Sequence, residues 1–103
     1  MTGLKELLVS LIEGAPGVEL DHKRNHVSAK VQGRVFAYDR PHDLVVKLPK
    51  SRIDELEAAG EASRLVMGKR EMAEWAVVQG PPAVDAGRLK VLLDDSIAFV
   101  SRD

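Results

Sequence analysis

The chain has 103 residues, 45% hydrophobic and 30% charged, with a formal net charge of −1 and no cysteine. That is the scale of a single domain over residues 1–103, with no room for a second independent core. Without cysteine there is no disulfide, no thiolate nucleophile and no Cys-built zinc site, which fits a reducing compartment.

The first element in chain order is a helix. Leu4, Leu7, Leu8, Leu11 and Ile12 recur at helical spacing and make one apolar stripe. Thr2 is placed to cap it, and Gly14 with Pro16 beyond stops it. The period then changes to two. Val27, Ala29 and Val31 alternate with Ser28, Lys30 and Gln32, predicting a half-buried strand. Gln32-Gly33 is a tight-turn signal, Arg34 to Tyr38 a second strand, and Leu44 to Leu48 a third beyond the Pro41 connection. The three form an antiparallel meander.

Pro49 ends the meander. Ser51 with Asp54 three residues later has capping-box spacing, and Ile53, Leu56 and Ala59 line a short helix that Gly60 closes. Arg64 to Met67 and Met72 to Gln79 follow as strands, and Gly80-Pro81-Pro82 breaks the chain. Asp85 caps a last helix whose stripe is Leu89, Leu92, Leu93, Ile97 and Val100. The predicted order is α-β-β-β-α-β-β-α, an α+β fold in two layers with an antiparallel sheet backed by helices. Phe36 and Trp75, in strands among aliphatic residues, are expected in the core.

The N-terminus, Met1-Thr2-Gly3-Leu4-Lys5-Glu6, carries a charge pair where a signal peptide needs an unbroken apolar run. No stretch approaches the roughly 20 apolar residues of a membrane span. A cytoplasmic location without membrane contact is the expectation.

Several phrases, taken in order, resemble the MmcQ/YjbR-like family of small bacterial proteins. They are Gly33-Arg34-Val35-Phe36-Ala37, Leu44-Val45-Val46-Lys47-Leu48-Pro49, Glu74-Trp75-Ala76-Val77-Val78, and Asp95-Ser96-Ile97-Ala98-Phe99-Val100. The resemblance runs from about Gly33 to the C-terminus. It departs over Leu20 to Ser28, where the family tends to carry a Gly- and aromatic-containing piece and this chain has Asp-His-Lys-Arg-Asn-His. The resemblance implies an antiparallel sheet backed by helices, a double-wing arrangement proposed to bind DNA. Many members have no assigned activity.

Catalytic chemistry has little support. There is no Gly-x-Ser-x-Gly, no Gly-x-Gly-x-x-Gly and no Walker-type loop. The pairs Asp94-Asp95 and Asp54-Glu55 fall on helices, where adjacent residues point apart. His22 and His26 have a metal-compatible spacing but span a loop, and Lys23 and Arg24 between them repel a cation. A non-enzymatic domain with no cofactor and no metal is expected.

Charge is the more informative signal. Between His22 and Arg52 eight basic residues face two acidic ones, a local charge of +6 that leaves −7 for the rest. Lys23, Arg24, Lys30, Arg34, Arg40 and Lys47 are the candidate nucleic-acid contacts, on a polar sheet face that suits phosphates. An aromatic content of 4% leaves few stacking platforms. The alternative is a protein-interaction module or homodimer, since a chain this short buries a modest share of its surface alone.

Overall fold

The computed structural model describes residues 4–22, 24, 26–40, 43–79 and 84–101. Its elements are α1 (Leu4–Ile12), β1 (Val18–His22), β2 (Val27–Val31), β3 (Arg34–Asp39), β4 (Asp43–Lys47), α2 (Lys50–Ala58), β5 (Ala62–Met67), β6 (Arg70–Gln79) and α3 (Ala86–Ser101). The fold is α+β, and the eight predicted elements occur in the predicted order. A further strand, β1, precedes the meander. In it Val18 and Leu20 pack against the core while Glu19 and Asp21 alternate with them.

All six strands join one antiparallel sheet, ordered β1-β2-β3-β4-β6-β5, so β1 and β5 are its edges. The β2–β3 turn is the two-residue hairpin that Gln32-Gly33 suggests. Both residues take positive φ, +54° and +76°, the geometry that matches strand twist in such turns. In β3 the ladder slips. Ala29 faces Ala37 and Lys30 faces Val35, so Phe36 is an extra residue, a β-bulge.

The helices supply the second layer. α1 and α3 pack on each other and on β3, and α3 reaches β2 and β4, while α2 covers β5 and β6. Leu8 and Ile12 of α1 meet Leu89, Leu92, Leu93 and Val100 of α3 in one core with Val27, Ala29, Val31, Phe36, Leu44, Val46, Ala76 and Val78. Burying each larger apolar side chain there contributes roughly 1.5–3 kcal/mol relative to exposure. Among the described residues no helix is long and apolar enough to cross a membrane.

Two local expectations need correction. Pro49, not Ser51, is the N-cap of α2, and it makes no side-chain cap bond. Ser51 already lies inside the helix. Its C-terminus is as expected, with Gly60 at φ +74° and the Gly60 and Glu61 amides bonded back to the Glu57 and Leu56 carbonyls. Phe36 is fully buried in the core, whereas Trp75 lies on the other side of the sheet. β6 is apolar on both faces, and Ala76 and Val78 take the helix side. Asp85 caps α3 as predicted, its Oδ1 accepting the Arg88 amide at 2.9 Å. Thr2, Pro41 and Gly80 to Pro82 lie outside the described residues.

Candidate nucleic-acid interface

Strand alternation makes the sheet two-faced, and among the described residues the helices pack on one side only. Opposite them, the register aligns a row across five strands: Ser28, Tyr38, Val45, Val77 and Ser63. Lys47 and Trp75 form a neighbouring pair, and Lys30 faces Val35 nearby. Val45 is fully buried, while Tyr38, Val77 and Trp75 around it are half-buried.

The aromatic pair is the distinctive feature of this face. The Tyr38 and Trp75 rings stand 6.0 Å apart, tilted by 53°, and the Lys47 ammonium lies 5.6 Å from the centre of the Trp75 ring. A cation over an indole face at such a range is attracted by about 0.5–1 kcal/mol at an exposed site. Two of the chain's four aromatic residues therefore meet beside a lysine on the open face. The low aromatic count gave no sign of this, because composition carries no information about which side of a strand a ring takes.

Among the described residues the candidate cations do not form one patch. Lys23 lies outside the described residues. Arg24 is exposed in the β1–β2 connection. Lys30 is on the open face, with its Nζ 3.6 Å from Asp21, and both side chains are about one-third exposed or more. Such a surface pair is worth ~0–1 kcal/mol, so Lys30 can exchange partners readily. Arg34 opens β3, exposed, and shares a small cavity of about 80 Å³ with Lys47, Glu74, Phe99 and Val100.

Arg40 is committed elsewhere. Its guanidinium grips Asp43 in a fork, Nε to Oδ1 at 2.5 Å and Nη2 to Oδ2 at 2.7 Å, and its amide donates to the Asp43 carbonyl. The hydrogen bond to Asp43, aided by its charge, outweighs partial burial and raises the Arg40 pKa further. This pair staples the β3–β4 connection. Lys30 and Lys47 lie on the open face, and Arg34 stands beside it at the start of β3.

Acidic residues of α2, α3 and the lead-in to β5 are likewise engaged. Arg64 bonds Asp54 and Glu57, tying α2 to β5, and hydrogen bonding to Asp54 raises its pKa. Arg88 bonds Glu61, with the same effect, and Arg52 reaches Glu55 and Asp95. Lys90 pairs with Asp94 one turn on. The carboxylate pairs Asp54-Glu55 and Asp94-Asp95 thus serve in ion pairs between elements or along a helix. His22 and His26 are exposed, and among the described residues no group of three or more His, Asp or Glu is placed to hold a metal ion.

No protein-family model matches the chain, and no curated protein matches it. A solved structure does: the crystal structure of Deinococcus radiodurans protein DR2400, with a family-model domain of the type DUF419. The match has a TM-score of 0.74 and 22% sequence identity, and it covers 100% of this chain and 81% of that one. At that identity the likeness is one of fold.

Proposed function

We propose that this chain is a non-enzymatic, cytoplasmic binding domain of the MmcQ/YjbR type that engages nucleic acid weakly through the open face of its sheet. The observation that carries this reading is the cluster of Lys47, Trp75 and Tyr38 on the helix-free face, with Lys30 beside it. Lysine heads neutralise phosphates, and aromatic rings offer sequence-independent contact with bases. The element order agrees with the resemblance in the sequence, and the DR2400 likeness supports the fold on which that resemblance rests.

The test is fluorescence anisotropy of labelled single-stranded and duplex DNA over a salt series. With about three cations in contact, log K should fall against log salt with a slope of about −2 for the single strand and about −3 for the duplex. Replacing Lys30 and Lys47 together by Glu should abolish binding. No binding at low salt, or binding indifferent to that double change, would refute the reading.

A second reading has one observation of its own. Val66 and Met67 are each 59% exposed on the edge strand β5. An unpaired apolar edge is a place for another chain to add a strand. Under this alternative the domain is a protein-interaction module or homodimer, and Val66→Lys with Met67→Lys would abolish the association seen by light scattering.

A further inference from the structure

Resting on the nucleic-acid reading of the open face, we infer that its ligand is single-stranded, with a base stacked on Trp75 and the adjoining phosphates held by Lys47 and Lys30. The shape of the surface points this way first. A duplex major groove admits a helix or a two-stranded ribbon. The open face instead spans strands β2, β3, β4 and β6 at their centre, with Lys30 and Lys47 two strands apart, roughly 10 Å between their backbones. So broad a face is wider than the two-stranded ribbon that an undistorted major groove admits.

Charge separates the two forms as well. Glu19 and Asp21 of β1 share the open side with Lys30, which they face directly or diagonally. On β4, Asp43 sits at the other end of the alternation from Lys47. Asp43 is already neutralised by Arg40, but a duplex laid on this face would bring one of its two phosphate backbones against Glu19 at the sheet's edge. A single strand can follow the lysines and turn its bases inward.

The aromatic pair supplies what single strands need. Trp75 is half-buried against Tyr38, so its ring is already ordered and loses little freedom when a base arrives. Lys47 stands over that ring. A base that stacks on Trp75 displaces the ammonium from the ring face, and the phosphate of the same nucleotide gives it a new partner. Ring and lysine then act on one nucleotide. Sheet faces that present aromatic residues recognise splayed bases in just this manner.

Trp75 is the chain's single tryptophan, so intrinsic emission reports on this ring alone. The full chain is titrated at low salt with a labelled pyrimidine oligonucleotide of about one dozen nucleotides and, separately, with the duplex of the same sequence. Anisotropy gives affinity, and Trp75 emission with unlabelled DNA gives stacking. The expected result is quenching by the single strand and a preference over duplex of about tenfold. Trp75→Ala should erase the preference, and Trp75→Phe should restore part of it in a chain that keeps its fold by circular dichroism.

Duplex bound as tightly as single strand, or single strand bound with Trp75 emission unchanged, overturns the stacking inference and leaves nucleic-acid binding standing. Binding of neither form at low salt overturns both. The wild-type emission needs no variant, so a misfolded Trp75→Ala does not obscure the result.

Discussion

The Ser96 hydroxyl, in the middle of α3, donates a 3.2 Å hydrogen bond to the main-chain carbonyl of Phe36, sixty residues earlier in the chain. Phe36 is the extra residue of the β3 bulge, where the ladder with β2 is interrupted. A buried carbonyl released from a ladder needs another donor, and Ser96, itself fully buried, provides one. The bond therefore joins the irregular point of the sheet to the helix that covers it.

Ser96→Ala should cost about 1–3 kcal/mol, because the Phe36 carbonyl loses this donor without gaining water. For a domain of this size that corresponds to a drop in Tm of roughly 4–8 °C for each kcal/mol. Urea unfolding should show a lower midpoint at unchanged slope. A midpoint equal to wild type would mean that the carbonyl is satisfied by something else.

Asp39 plays a comparable part at the other end of β3. It is 8% exposed, and its Oδ1 accepts the Val27 amide at 2.6 Å where β2 begins. Asp39→Ala should cost roughly 1–3 kcal/mol by stranding that amide, and Asp39→Asn, which keeps an acceptor, should cost less. Amide hydrogen exchange at Val27 is the direct readout. Faster exchange in the Ala variant and near-native protection in the Asn variant are expected.

The β2–β3 turn offers a test of backbone conformation free of packing. A Cβ on Gly33 would meet nothing within 4 Å, but its φ is +76°. Gly33→Ala should therefore destabilise by about 1 kcal/mol through the backbone alone. Gln32, at φ +54°, is strained for its type, and Gln32→Asn should recover a few tenths of a kcal/mol, with ~0.3 kcal/mol a reasonable scale. Parallel thermal melts of the two variants would show opposite shifts.

The cations differ in what they are free to do. If the open face binds nucleic acid, Lys47→Glu should weaken it at least about tenfold, since a favourable contact becomes a repulsive one. Arg40→Ala should change affinity little, because its guanidinium already holds Asp43. Its effect should fall on stability, at about 1–3 kcal/mol, because the partly buried Asp43 carboxylate loses both bonds of the fork. Equal losses of affinity in the two variants would mean that the β3–β4 connection belongs to the interface.

Most of the fold was legible because it rests on periodicity. The stripes of α1 and α3, the alternation of β2, the Gln32-Gly33 turn and the Asp85 cap all follow from local rules, and all are present. β1 has only a faint signature in the sequence, although Val18-Glu19-Leu20-Asp21 alternates as a strand should. Its apolar positions are only half-buried at the sheet's edge, so the signal is short and diluted by charge. Capping-box spacing points to Ser51 because it does not register that Pro49 already turns the chain into α2. For the candidate site, alternation alone puts Lys30 and Lys47 on the side of their strands that faces away from the helices. What pairing alone could not give was the partner of Arg40 or the side on which Trp75 falls, since β6 is apolar on both sides and only the tertiary placement of α2 and α3 distinguishes them.

The bulge at Phe36 has one more effect, on the parity of β3. In a regular strand, residues three apart lie on opposite faces, yet Val35 and Tyr38 both stand on the open side, paired with Lys30 and Ser28. The extra residue inverts odd and even, letting Phe36 and Ala37 both serve the core before alternation resumes. Excising Phe36 would restore regular pairing and leave Val35 and Tyr38 on the open side, but it would remove a fully buried ring from the core. Regular pairing with Phe36 retained would instead send either the hairpin turn or the aromatic ring to the opposite side, so this single insertion couples the shape of the sheet's interior to the chemistry displayed on its exterior.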